Sequence, residues 1–283
     1  MSDQLRITKY RPDNSIRQSY VATFSEIFRE ISENRWLIFQ LFKRDFTAAY
    51  KQSIMGLVWA FVIPLVSIGT FIVLNRSGVF VIGDIKVPYP IYAVLGMAFW
   101  QLFSTGLLAS SQALVLAGPM ITKINFSKKS LVFASIGQGL VSFCVQLVLL
   151  IALFLFFRIM PSHGVFLLPV VILAIIFLTL GMGFFLSLLN GVIRDVANIL
   201  PMFLTFFMFL TPVLYERRSY GLLNTINHFN PMNYFILAAR DLVLNGQIKE
   251  WHGFLYSAIA AIVIFILSLY VFHLTETRIT ERV

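Results

Sequence analysis

The sequence predicts an all-α integral membrane protein. Six transmembrane helices are preceded by an N-terminal amphipathic interface helix, and a re-entrant helical hairpin lies between helices five and six. Three observations carry this. Of the 283 residues 58% are hydrophobic and only 12% charged, where a soluble domain is about 25% charged. Six uncharged runs, at 56–74, 91–117, 131–157, 165–193, 196–215 and 253–272, approach or exceed the roughly 20 apolar residues that cross a bilayer. A seventh uncharged stretch, "SYGLLNTINHFNPMNYFILAA" (219–239), carries four Asn, a His and a Pro. That is too polar to face lipid as one helix, and irregular backbone at membrane depth survives only where protein or a water-filled cavity covers it.

Taken in order, residues 1–22 form a polar, basic tail with no apolar core of the kind a cleavable signal needs. Residues 23–52 form the interface region. Thr23 and Glu26 have capping-box spacing, and Phe24, Ile27, Phe28 and Ile31 make one apolar stripe opposite charged positions. A helix of that kind lies along a membrane surface or packs on a partner. The membrane-embedded body, 53–275, begins with a run containing Pro64. Spans three and four are separated by only a few residues and form a tight hairpin. Ser135, Gly139 and Ser142 in the third and Gly181 and Gly183 in the fourth allow close helix approach. Span five, 196–215, carries Pro201 and Pro212 and four phenylalanines between them. At about 100° per residue Phe203, Phe206, Phe207 and Leu210 share a face, and Phe209 points away. Residues 276–283 form a short tail.

Six spans place both termini on one side. Fifteen of the 22 basic residues lie on that side if it is cytoplasmic, in accord with the positive-inside rule. The net charge of +9 therefore reflects topology and anionic lipid. Basic residues are scattered over loops rather than gathered on one face, so nucleic acid is not an expected partner. Cys144, the single cysteine, excludes an internal disulfide.

Several chemistries are unsupported. None of the thirteen acidic residues lies within a span, where an ion-coupled transporter carries an acid or His relay. The four histidines have no metal-ligand spacing, and no carboxylate pair suggests a glycosyl-transfer site. No glycine is followed by lysine, so the phosphate-binding loop of P-loop ATPases is missing. The chain cannot hydrolyse ATP by that route.

Four segments then stand out. "RDFTAAYKQSIMGLVWAFVIPL" (44–65) holds Arg44, Asp45, Tyr50, Gly56, Trp59 and Pro64; "LAGPMITKINFSKKSLVFA" (116–134) joins spans two and three. "RDVANILPMFLTFFMFLTPVLYE" (194–216) opens on Arg194–Asp195, and "FNPMNYFILAARDLVLNGQ" (229–247) contains Asn230, Pro231 and Arg240. In this order they resemble the permease subunits of ABC exporters for polysaccharides, from about residue 20 to the end. Ser127 departs from that pattern, where proline frequently follows the Phe126 position.

The resemblance implies a homodimer in the bacterial inner membrane, with both termini cytoplasmic, working with two copies of a separate ATPase. That partner uses ATP and Mg; this chain binds no cofactor and no metal. The substrates implied are lipid-linked O-antigens, capsular polysaccharides or teichoic acids. It also implies an ATPase-coupling segment, Lys123, Ile124, Phe126, Lys128 and Lys129, with Glu30 on the interface helix. Arg44, Asp45, Tyr50, Gly56, Trp59, Arg194, Asp195, Pro212, Asn230, Pro231 and Arg240 become structural motif positions. Phe203, Phe206, Phe207, Tyr215, Trp59 and Trp100 are the candidate rings of a glycan channel, since sugar C–H faces pack on aromatic rings without charge. Each has a plainer reading: positive-inside lysines, a topology-setting Arg–Asp pair, lipid-facing or interfacial aromatics. A membrane-embedded enzyme acting on polyprenyl-linked sugars is the alternative from another class, and activity of the chain alone distinguishes it.

Overall fold

The computed structural model describes residues 20–51, 58–77, 85, 87–121, 123, 126–217 and 221–279. Among the described residues the chain is helical, with no strand. Helices α1 (Tyr20–Glu33) and α2 (Arg35–Lys51) meet at Asn34. Then come α3 (Val58–Arg76), α4 (Tyr89–Leu116), α5 (Gly118–Ile121) and α6 (Lys129–Phe157). A 3-10 turn, His163–Leu167, leads into α7 (Leu168–Val192), followed by α8 (Val196–Leu210), α9 (Leu222–Phe229), α10 (Pro231–Leu244) and α11 (Trp251–Ile279).

Four of these stretches are long and apolar enough to cross a membrane: Tyr89–Leu116, Lys129–Phe157, His163–Val192 and Trp251–Glu276. Their burial assigns their roles. In the most apolar window α4 is 78% buried, against 28%, 39% and 22% for the other three, so α4 is the central helix and the others face outward. Ile91, Leu95, Phe99, Leu102 and Phe103 of α4 are fully or almost fully buried. The sequence-predicted close approach is present: a Cβ at Gly139 of α6 would meet the Leu102 carbonyl and Gly106 of α4. Nearby the hydroxyls of Ser110 and Ser135 bond at 2.9 Å.

Two ends of the bundle are defined by side-chain contacts. At one, α1, the start of α6 and the end of α11 meet, with Ile27 fully buried beside Leu114, Leu131 and Phe272. At the other, the loop between α6 and α7 lies against α10, the Ser162 amide donating to the Val243 carbonyl at 2.8 Å. Arg158 closes α6 in the left-handed region, φ 54°, giving the tight hairpin expected there.

Span five departs from expectation. The helix ends at Leu210, so it is about 22 Å long against a hydrocarbon core of about 30 Å. Pro212 supplies the reason. It has no N–H, and its ring pushes the residue before it out of the helical region; Thr211 accordingly has ψ 140°.

Candidate functional site

The backbone from Thr211 to Tyr215 is non-helical and buried. Unwound backbone exposes carbonyls that need partners, and side chains from three directions supply them. Thr211 returns both its amide (2.9 Å) and its hydroxyl (2.8 Å) to the Phe207 carbonyl. The Tyr215 hydroxyl donates to the Phe209 and Leu210 carbonyls at 3.0 Å each. From α4, Tyr89 donates to Leu214 O at 3.2 Å and Tyr92 to Tyr215 O at 3.1 Å.

Arg240 of α10 holds the centre. It is only 4% exposed. Nη1 donates to Pro212 O at 2.7 Å and to the Tyr92 hydroxyl at 2.9 Å; Nη2 donates to Val213 O and to Tyr92 O at 3.3 Å. The guanidinium also stacks 3.6 Å from the Tyr92 ring centroid. Its planar fork suits a site with several carbonyls. Gly96 makes room, because a Cβ there would strike the Val213 carbonyl and Arg240 Nη2. Asn230 completes the frame. Its Oδ1 accepts from the Met232 amide as the N-cap of α10, with Pro231 in the first turn, and its Nδ2 donates to Thr211 Oγ1 at 2.8 Å. Three predicted motif positions, Pro212, Asn230 and Arg240, thus meet at one point. Tyr89, Tyr92 and Gly96 were missed, although their spacing of three and four residues marked one face of α4.

The aromatic face of α8 divides. Phe203 and Phe206 are 52% and 66% exposed. Phe207 turns inward, stacked on Phe203 (centroids 5.6 Å, planes 15° apart) and against Trp100 at 5.9 Å. Trp100 and Tyr215, expected with the channel rings, are 3% and 8% exposed; they form the support behind the face. Phe209 is corrected too. It is 49% exposed and lies on the outward side with Phe206, because Leu200 and Leu204 take the buried side. Trp59, on α3, is 48% exposed.

The opposite end holds a charge cluster. Lys129, 1% exposed, donates to Glu30 at 2.7 Å and Glu276 at 2.6 Å. Glu276 also accepts from the Lys128 amide at 2.5 Å, and Lys128 Nζ donates to the Glu276 carbonyl at 2.8 Å. Burial pushes the Lys128 ammonium below its usual range, with Glu276 acting against the shift. Glu30, His273 and Glu276 bring ligand atoms within 4.8 Å of one another, but the Lys129 ammonium already supplies the positive charge between the carboxylates. Lys129 and Glu30 are therefore turned toward each other inside the chain, and Glu276, read as part of the tail, is their unrecognised partner. Lys123 is exposed and Phe126 half-buried; Ile124 lies outside the described residues.

The remaining motif positions are scattered. Arg44 pairs with Asp45 at 2.8 Å and reaches the Met120 sulfur at 3.4 Å. Gly56 and the Tyr50 side chain lie outside the described residues. Arg194 and Asp195 are exposed at the start of α8, with no ion pair among the described residues.

The described helices, four of them long and apolar enough to cross a membrane, thus form a bundle with a side-chain-braced helix break at one end and a charged interlock at the other. The chain belongs to the ABC-2 type transporter family, which matches residues 37–244. It is 28% identical over 190 residues, 67% of this chain and 72% of the relative, to the O-antigen export system permease protein RfbA of Myxococcus xanthus. To the protein of that name from Klebsiella pneumoniae it is 23% identical over 254 residues, 87% of this chain and 94% of the relative. Such permeases are transport subunits without an ATPase site, and an ABC ATPase is a separate partner.

Proposed function

We propose that this chain exports a lipid-linked polysaccharide, of O-antigen or capsular type, across a bacterial inner membrane. It acts as a homodimer with two ATPase subunits, which bind the ATP and Mg. The charged end faces the cytoplasm and the Arg240 end faces outward, which places Lys43, Lys123 and Lys128 inside, as the positive-inside rule asks. Six spans follow if α3, α4, α6, α7, α8 and α11 cross. Then α9 and α10, of 8 and 14 residues, are a re-entrant pair, each too short for the hydrocarbon core.

The observation that carries the reading is the outward aromatic face of α8. Phe203 and Phe206 present rings with no charge nearby on the helix, above a backbone break whose carbonyls are all but enclosed. A second copy related by two-fold symmetry would close such faces around a path. Base–aromatic stacking is worth about 1–3 kcal/mol per ring in nucleic-acid channels; weaker contacts to sugars would guide a polymer without trapping it. Lys123 and Phe126 form the ATPase dock in this reading, with the Lys129–Glu30–Glu276 cluster holding α1 beneath them.

The test is surface glycan in cells lacking this chain. Loss of surface polysaccharide with intracellular lipid-linked glycan accumulating is expected, restored by the wild-type chain. The purified chain alone should hydrolyse no ATP, and co-expression with its ATPase should yield a complex of two plus two. Unchanged surface glycan in the deletion strain refutes the proposal.

A further inference from the structure

Away from both ends, α2, α3 and α6 enclose a groove of about 680 Å³, within the roughly 300–1,000 Å³ typical of small-ligand sites. Phe39 and Phe42 of α2, Phe61 of α3, and Phe133, Leu140 and Val148 of α6 line it. Its floor is set by close packing: the Phe42 ring occupies the space a Cβ at Gly137 would need. Arg35 is the one charged residue on the described wall. It is exposed and pairs with no carboxylate among the described residues.

We propose that this groove binds an anionic glycerophospholipid of the bilayer, one acyl chain lying along α6 and the phosphate held by Arg35. The wall accepts hydrocarbon and offers sugars almost nothing to hydrogen-bond. From Phe133 to Val148 α6 rises about 22 Å, longer than the roughly 15 Å of one leaflet's hydrocarbon, so a chain fits end to end. The guanidinium matches a phosphate with paired donors. Trp36, next to Arg35 and 70% exposed, is of the residue type that collects at headgroup depth. Only the leaflet assignment, cytoplasmic, rests on the function proposed above.

The chain, in complex with its ATPase, is placed in phosphatidylcholine nanodiscs doped with phosphatidylglycerol carrying a photoreactive diazirine in one acyl chain. Peptide mapping reads the cross-links. We expect labelling of the α6 segment 137–148 and of α2, with roughly tenfold preference over the same-chain phosphatidylcholine probe, the factor one charge-assisted contact supplies. Arg35→Gln should abolish the preference and Arg35→Lys restore part of it. Val148→Trp should remove the label from the groove at unchanged complex yield. Equal labelling by both probes, or a preference indifferent to Arg35, overturns the proposal. So does displacement of the probe by polyprenyl phosphate at equal mole fraction, which makes the substrate's tail the occupant, or cross-linking from Cys144 to a second copy or to the ATPase. Failure of the complex to form is a separate result and counts against the proposed function, since the labelling can be repeated on the chain alone.

Discussion

At the scale of single residues, Arg240 shows how a buried cation earns its place in a helical membrane protein. Its donors answer the carbonyls of Pro212 and Val213, which the proline-broken helix cannot satisfy. Arg240→Ala would leave both unpaired, at about 1–3 kcal/mol for each buried group left without a partner. The expected outcome is a clear drop in the melting temperature of the purified complex, with Arg240→Lys intermediate because an ammonium lacks the fork. Gly96→Ala should destabilise by about 1–3 kcal/mol through overpacking, since the added methyl meets the same carbonyl and guanidinium. If Gly96→Ala melts like the wild type, the bracing of residues 211–215 is not as tight as the geometry requires.

At the scale of elements, α8 and the charged interlock make separable predictions. Phe206 is 66% exposed, so Phe206→Ala should change stability by no more than about 0.5 kcal/mol while reducing surface glycan. Phe207→Ala should lower stability as well, because it removes the ring packed on Trp100. Phe209→Ala should resemble Phe206→Ala, since both rings face outward. Normal export by a Phe203/Phe206 double alanine variant that assembles fully would remove α8 from the path. The interlock is a different case. Lys129→Met strands Glu30 and Glu276 with their side chains only 16% and 13% exposed, and breaking a buried pair costs about 3–5 kcal/mol. The complex should lose ATPase binding or yield, and proteolysis should reach α1 sooner.

At the scale of the whole molecule, the proposed topology puts the two ends on opposite sides of the membrane, which labelling tests. Lys123→Cys, in a Cys144→Ser background, should react with a membrane-impermeant maleimide only after cells are opened; Leu222→Cys, at the exposed start of α9, should react in intact cells. Labelling of position 123 from outside reverses the orientation and with it the dock. The outward faces of α6, α7 and α11 carry large exposed apolar residues such as Phe156, Leu173 and Ile259. That surface belongs against lipid or a second copy, so the chain should require detergent throughout purification.

The sequence by itself determined the class of architecture, an all-helical membrane protein, but not where its fifth span stops: the apolar run reads through to 215, and the helix ends at Leu210. Apolar runs of the right length, the pairing of Pro212 with a polar stretch after it, and four ordered segments were legible because each depends on local composition or backbone chemistry. It also brought Pro212, Asn230 and Arg240 into view as motif positions, without showing that they touch. Tertiary structure decided the rest. That α4 is the central helix was not read from the sequence, although it is the least hydropathic of the four long helices, as a helix shielded from lipid by its neighbours can be. Which way α8 turns its rings was set by Leu200 and Leu204 seeking the core, so Phe207 went inward with Trp100 and Phe209 came out with Phe206. Lys129 and Glu276 lie 147 residues apart; a charge that reads as a topology signal in the sequence becomes a buried ion pair only when helix ends from distant parts of the chain meet.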